Sequence, residues 1–494
     1  MTQQLASNAQ PETTEKKLSE FDKLIMQDFK PDAERKERID RAVQTLAQQA
    51  LNRAKVIDDD VHATIDALRL ALDKKLSDQI NLILHHPKFQ ALESAWRGLE
   101  KLVYGTSTGA DLKIKVLNVR KEECLEMFRA NKDAKWDQSP LFRKLYEQEY
   151  GQLGGQPYGA IVCDYTFTHS KLDVEVMEGL AKIGAAAHAP FIAAAGPGLL
   201  GMDSWQGLGG IRDLGKLFTA GDYKIWNSFR DSPDSRYMAL TMPRVLGRAP
   251  YGAKTDPVEE FDFEEITGGD DKNYLWTNSA YAMGLRITEA FTDWGWTTQI
   301  RGVVSGGTVG GLPVATFSTD DGGVDEKCPT EIAIPERREF ELSNAGLISL
   351  VHRKNTNTAT FIGAQTVNKP REYDTDEANA SANLSARLPY IFATCRFAHY
   401  LKCMIRDWVG SYKDAPTLSY ELNRWISKYV DAQSESSSEE TKAKLPLRAA
   451  SIEIIPDESN PGSYKAKFHF VPHYQLEVVD AQLSMVSRLP DSVK

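Results

Sequence analysis

The residues best placed to do chemistry in this chain are three glycines. Gly196, Gly198 and Gly201 stand in GPGLLG, directly after the apolar run PFIAAA. A G-x-G-x-x-G turn between strand and helix lets backbone N–H groups reach a pyrophosphate at the helix N-terminus. It would make the chain a nucleotide-dependent α/β oxidoreductase, with Asp213 or Asp222 in range of a ribose. Three features oppose this. Pro197 removes an N–H where donors are wanted. MDSWQGLGG puts glycines where the helix should start, and the strand does not open a domain. The competing expectation is a tight loop packed under Trp205.

The other candidates are weaker. GGTVGG (306–311) lacks the lysine of a phosphate loop. His85–His86 sit at a helix junction, where capping is the expected role. His469 and His473 are four apart on a strand interrupted by Pro472, so they do not converge as they would on a helix. Cys163–Asp164 and His169 suggest a nucleophile, but no third residue can be assigned. The five cysteines, Cys124, Cys163, Cys328, Cys395 and Cys403, match neither a disulfide framework nor zinc spacing. No catalytic residue, cofactor or metal is expected.

The 494 residues suggest about three domains. Hydrophobic residues make up 41%, enough for real cores, and the net charge is −10. An acidic chain has no basic excess to neutralise phosphates, so a nucleic-acid partner is not expected. No apolar run approaches the roughly 20 residues that span a bilayer, and MTQQLASNAQPETTEKK lacks the pattern of a secretory signal. A cytoplasmic location without membrane insertion follows as the expectation.

Periodicity supplies the elements. Residues 1–60 read as a flexible arm carrying an amphipathic helix with Leu18, Phe21, Leu24, Ile25 and Phe29 on one face. A second helix covers 33–56. Residues 61–105 give two more, one striped by Leu68, Leu72 and Leu76, the other by Phe89, Leu92, Trp96, Leu99 and Val103, with Pro87 at its start and Gly105 at its stop. Residues 106–375 read as a central mixed α/β domain. Strands are expected at LKIKVLNV (112–119), 158–165, 190–195, 236–243 and QIRGVVSG (299–306), with helices at 121–131, 172–189 and 273–294 and a loop at 306–330. Strand–helix–strand with apolar strands implies a parallel pair. Residues 376–494 read as one long helix over 381–410, a charged low-complexity stretch at 434–444, and a small antiparallel sheet. There Tyr464, Ala466, Phe468 and Phe470 alternate with polar residues, flanked by 451–455 and 475–489. The class is α/β, or α+β overall.

Four blocks taken in order resemble one family: HHPKFQALESAWRGLEKLV (85–103), APFIAAAGPGLLGMDSW (189–205), RYMALTMPRVLGRAPYG (236–252) and LSARLPYIFATCRFAHYLK (384–402). The chain looks like the large subunit of the type VI secretion contractile sheath, the TssC/VipB/EvpB family. The resemblance implies a structural protein rather than an enzyme. It implies pairing with a small TssB/VipA-like sheath subunit and helical polymerisation with further copies around an inner tube of Hcp. It further implies a cytoplasmic sheath anchored through a baseplate to the envelope, contraction that propels the tube, and recycling by a ClpV-type AAA+ unfoldase. On that basis Leu68, Leu72 and Leu76 are expected at the small-subunit interface, and the helix with Leu18 through Phe29 at the unfoldase. Tyr464, Ala466, Phe468 and Phe470 are expected in a sheet interlocked between subunits of a tail-sheath-like C-terminal domain. Arg387, Arg396, Lys402 and Arg406, placed on the long helix, are expected to face the inner tube.

Overall fold

The computed structural model describes residue 41 and residues 61–253, 255–259, 261–318, 323–408, 414–456 and 464–473. The helix expected at 18–29, that at 33–56 apart from helical Arg41, and the strand at 475–489 lie outside these residues. The chain parts into two compact units. Of the described residues, one takes in those up to Leu84 with those from Tyr251 to Glu265, and the other takes in 85–250 and those from Ile266 to His473.

In the first unit, α1 (Val61–Leu84) is the main element. Its Asn81 is buried and donates to the carbonyls of Ser77, at 2.9 Å, and Glu264, at 3.1 Å. Phe263, also buried, packs its ring 6.3 Å from that of Tyr251.

The second unit begins with α2 (Pro87–Tyr104) and α3 (Lys121–Ala130). There follow β1 (Ile161–Phe167), α4 (Lys171–Ala187), β2 (Phe191–Ala195), α5 (Lys224–Asp231) and β3 (Met238–Met242). Next come β4 (Val245–Leu246), β5 (Trp276–Thr277), α6 (Ser279–Trp294), β6 (Thr308–Val309), β7 (Thr316–Ser318) and β8 (Val324–Glu326). Then α7 (Glu336–Asn344), β9 (Leu347–His352) and β10 (Ala359–Phe361) complete the sheet region. The last elements are α8 (Asp376–Ser385), α9 (Leu388–Asp407), α10 (Ala415–Ile426), α11 (Glu439–Lys444), β11 (Leu447–Pro456) and β12 (Tyr464–Pro472).

The central sheet has the order β1-β2-β3-β9-β10-β6. Its first four strands are parallel, and β10 returns antiparallel between β9 and β6. Period-two side-chain alternation divides its apolar residues between two cores. Phe191, Ala193, Met238, Leu240 and Leu347 join Val174, Met177 and Leu180 of α4. Ile192, Ala239, Ile348 and Leu350 join Ala280, Met283 and Ile287 of α6. Helices on both faces explain why PFIAAA is continuously apolar. A third core lies in the C-terminal part. Phe397 of α9 is fully buried there, its ring 4.4 Å from Trp296, 5.7 Å from Tyr429 and 5.5 Å from Phe470.

Three expectations fail for visible reasons. LKIKVLNV forms no strand and joins no sheet among the described residues. It is tied beside β1 by a side chain, the Tyr165 hydroxyl donating to the Val119 carbonyl at 2.6 Å, and just beyond it Lys121 Nζ donates to the Thr166 carbonyl at 3.1 Å. QIRGVVSG is a turn. Gly302 and Gly306 take φ of 80° and 86°, which only glycine adopts freely, and the Gly302 amide is held by the Phe361 carbonyl at 2.7 Å. The helix expected over 381–410 is two helices, α8 and α9. Pro389 at the start of α9 cannot continue a preceding helix, and Arg387 is an extended N-cap (φ −100°, ψ 131°) rather than a helical residue. The 306–330 stretch also carries β6, β7 and β8, and the charged stretch at 434–444 ends in α11, where Ala443 is buried.

Phe397 holds α9, α10 and β12 to one core. Phe397→Ala should cost about 3–5 kcal/mol. The expected readout is a lower urea midpoint, with faster tryptic cleavage within 408–473 than within the central sheet.

Candidate assembly surfaces

The glycine loop is filled by its own chain. Residues 197–200 form one 3-10 turn with Leu199 and Leu200 buried, and Gly201 closes it at φ 67°. A Cβ at Gly196 would lie 2.8 Å from a Thr166 methyl, and one at Gly198 would lie 3.1 Å from that of Thr168. The glycines therefore make room for these threonines, and no cradle for a pyrophosphate remains. His169 Nδ1 pairs with the Gly198 carbonyl at 2.7 Å and its ring lies 4.6 Å from Tyr223. Trp205 is fully buried nearby in the same core, as the tight-loop expectation had it. Asp213 caps a helical turn through the Lys216 amide, at 3.2 Å.

Burial pushes the Cys163 thiol well above its ordinary range, which leaves it a poor nucleophile. Asp164 is also raised by burial, against a hydrogen bond from Asn278. All five cysteines are free. Among the described residues no three His, Cys, Asp or Glu side chains gather as a metal site, and no helix is long and apolar enough to cross a membrane.

What the structure does offer is uncovered surface, and α2 carries the most distinct part. His86 caps it, Nδ1 accepting from the Lys88 amide at 3.3 Å, with Pro87 at the first position. Its inner face is small and polar. Ser94 Oγ donates to the Trp276 carbonyl at 3.0 Å, and Gly98 lies so close beneath the Tyr281 ring that any Cβ would overlap it. Thr106, just past the helix, meets Thr288 at 2.9 Å. Glu93 is clamped by Arg248 at 2.7 Å and Arg97 at 2.8 Å. Burial would raise its carboxyl, but these two hydrogen bonds outweigh that and hold it below the usual range. The outer face is apolar. Phe89, Leu92, Trp96, Leu99 and Val103 follow at spacings of three and four, and Trp96 is 65% exposed, with Tyr104 beyond at 85%. That is a seam for a partner helix.

The residues expected to bind the small subunit lie on α1. Leu72 and Leu76 are half-buried, while Leu70, Leu82 and Ile83 are the exposed apolar residues there. Leu68 falls in α1, but its side chain lies outside the described set. The stripe on α2 was visible in the sequence. The small residues opposite it, Ser94 and Gly98, are the signal that could have told which face turns outward.

The terminal sheet pairs β11 with β12, with Ile452 opposite Phe468 and Ile454 opposite Ala466. The outer edge of β11 is taken by Asn423 of α10, which donates to the Ile452 carbonyl at 2.7 Å and accepts its amide at 2.9 Å. Since the backbone groups of Ile452 point away from β12, those of Phe468 point away from β11. Period two then turns Ala466 and Phe470 the same way. The outer edge of β12 is the available one. Phe470 packs on Phe397, whereas Phe468 is 39% exposed.

The four basic residues are engaged within the chain. Arg387 Nη1 meets Gln365 at 3.2 Å, and the Arg396 guanidinium lies 4.6 Å from the Tyr400 ring centroid. Lys402 Nζ donates to the Tyr146 hydroxyl at 2.7 Å and sits 3.7 Å from the Tyr150 ring centroid. Arg406 donates to the Gln152 carbonyl. They fix α9 in place. The expected helix at Leu18, Phe21, Leu24, Ile25 and Phe29 lies outside the described residues.

Comparison with known proteins gives this surface inventory a context. Residues 66–368 match the model of the EvpB/VC_A0108 tail sheath N-terminal domain. Residues 377–489 match that of the EvpB/VC_A0108 tail sheath gpW/gp25-like domain. The type VI secretion system sheath protein TssC1 of Pseudomonas aeruginosa is 55% identical over 486 residues, 98% of each chain. Two solved structures are distantly similar. One is the baseplate of the anti-feeding prophage, with 11% identity, a TM-score of 0.37, and coverage of 76% of this chain and 84% of that one. The other is the contracted sheath complex of an extracellular contractile injection system, with 10% identity, a TM-score of 0.34, and coverage of 63% and 68%. With two family models covering most of its length and a sheath protein matching it almost end to end, the chain belongs to the EvpB/VC_A0108 family of tail sheath proteins, the sheath proteins of type VI secretion systems.

Proposed function

We propose that this sheath protein pairs with a smaller sheath subunit and that the pairs stack helically around an Hcp inner tube on a baseplate. Contraction then drives the tube outward, and a ClpV-type AAA+ unfoldase dismantles the spent sheath. The observation that carries the pairing is the outward apolar seam of α2 opposite a fully committed inner face. A helix with four exposed apolar residues, Phe89, Leu92, Trp96 and Val103, beside half-buried Leu99 has a second surface still to bury, and each large side chain buried there contributes about 1.5–3 kcal/mol. Leu68, Leu72 and Leu76 of α1 remain proposed, on their own unit, to dock the small subunit as well. The location proposed is cytoplasmic, and the C-terminal part, with α9, is proposed to face the inner tube.

Trp96 is the test of pairing. Trp96→Glu alters an exposed side chain, so stability should change by no more than about 0.5 kcal/mol. Recovery of the small subunit in a pull-down should nevertheless fall about thirtyfold, as for the loss of an interface anchor. Undiminished recovery would place the pairing surface elsewhere.

Longitudinal linkage is proposed to run through β12, by addition of strands from neighbouring subunits. Ala466→Pro removes a backbone donor from the outer edge and leaves the β11–β12 ladder its own bonds. Electron microscopy should then show paired subunits and no tubules, whereas normal tubules would exclude that edge.

Recycling is proposed to use the amphipathic segment with Leu18, Phe21, Leu24, Ile25 and Phe29, inserted into a groove on the unfoldase. Replacing Leu24 and Ile25 with serine should spare assembly and contraction. Contracted sheaths should accumulate in cells carrying the unfoldase, and their normal clearance would assign recognition to another chain.

A further inference from the structure

Residues 113–119, KIKVLNV, are left over from the fold. They have the composition of a strand and carry the chain onward for seven residues without turn, bend or helix. The amides of Lys113, Ile114, Lys115, Val116, Leu117, Asn118 and Val119 donate to no group among the described residues. The one bond to a carbonyl of this run comes from the Tyr165 hydroxyl, to Val119. The contacts that hold the run are made by side chains. Lys113 Nζ donates to Gln156 at 3.0 Å, and Lys115 pairs with Glu149. Val116 and Leu117 are exposed, at 66% and 46%. A sequence rich in β-branched and aliphatic residues, neither turn nor helix and without a ladder among the described residues, is an open template for a second strand.

The fold also indicates which chain supplies that strand. The segment follows α2 directly, and both lie at the β1 end of the central sheet. Leu102 of α2 and Val162 of β1 meet over the same glycine of α6. A Cβ on Gly284 would stand 3.2 Å from the former and 2.9 Å from the latter. Tyr165 of β1 binds Val119. Between Phe89 and Leu117 the chain therefore presents two uncovered segments near one end of the sheet, first the apolar seam of α2 and then the unpaired run, joined through buried Leu102 and Thr106.

We infer that residues 113–119 are an acceptor edge, completed by a β-strand of the same partner chain that buries the α2 seam. The partner thus brings a helix and a strand, and its strand pairs by main-chain hydrogen bonds with this segment. This rests on the pairing proposed above and specifies what the partner must contain. Backbone pairing provides a contact indifferent to most side-chain changes, and the two lysines, held by Gln156 and Glu149, tie the segment to the fold by side chains while its amides stay without an acceptor among the described residues.

Hydrogen exchange and a proline scan test it. Amides 113–119 should exchange freely in the chain alone and about a hundredfold more slowly in the purified paired complex. Proline substitutions at Val116, Leu117 and Asn118 remove amides that have no acceptor among the described residues and spare both lysine contacts. Thermal unfolding of the free protein should thus stay put, while pairing weakens about tenfold at alternate positions only, the period of a strand. Equal tolerance of all three prolines, or unchanged exchange in a complex that still forms, overturns the acceptor edge and leaves the sheath function intact. Protection in a polymer of this chain alone overturns the choice of partner in favour of a second copy. If the wild-type chain pairs with no smaller subunit, the pairing proposal fails first and this inference with it.

Discussion

Every backbone N–H and C=O must pair with something, and in this chain that requirement separates a finished part from an unfinished one. Strands β2, β3 and β9 have neighbours on both sides and helices on both faces, so nothing remains for them to bind. At the margins the requirement is met unevenly. Asn423 satisfies the outer edge of β11, and Lys121 reaches the Thr166 carbonyl of β1. The outer edge of β12 and the run 113–119 have no such cover among the described residues. A side chain that caps one edge while another stays open makes association directional, because only the open edge can extend a sheet.

Such edges suit a wall that must move. Main-chain pairing persists while the connecting segments bend, whereas a packed apolar interface holds one geometry. The α2 seam is of the second kind. Its inner face is locked by Gly98 against Tyr281 and by Glu93 between two arginines, so α2 presents its outer residues on a rigid support. On the proposed pairing, the rigid seam with the run 113–119 would serve the partner subunit and the open edge of β12 the neighbours, which divides the work between pairing and polymerisation.

Much of this was legible in the sequence. The apolar runs 190–195 and 236–243 announced a sheet buried on both faces, and Pro87 with Gly105 bracketed α2 within a residue. Alternation placed β12, and Asn423, which decides which edge of that sheet stays open, was not visible because its partner, Ile452, lies 29 residues away. Propensity made 112–119 strand-like, but a strand also needs a neighbour to pair with, and none of the described residues supplies one. QIRGVVSG fails for a local reason. Its two glycines at positive φ override three residues of good strand propensity, Ile300, Val303 and Val304. The glycine loop misled through its spacing, since GxGxxG records small residues without saying what fills the space, and here two threonines do.

The basic residues of α9 show the same gap between a residue's type and its role. A row of Arg387, Arg396, Lys402 and Arg406 suggests a charged face, yet each finds an acceptor or a ring within its own chain. Between them His399 is buried, and burial lowers its imidazole to about 4, so it is neutral and meets the Ala187 carbonyl at 2.9 Å. The N-terminal half of α9 is anchored differently, by Leu388 and Phe392 in the core beneath the central sheet. Farther along, Phe397 and Leu401 are fully buried in the third core, and His399 and Lys402 reach back to Ala187, Tyr146 and buried Tyr150. Apolar burial and polar contacts removed from solvent therefore alternate along one helix, and the join between the halves matched by the two family models is spread over the length of α9 rather than resting on one point.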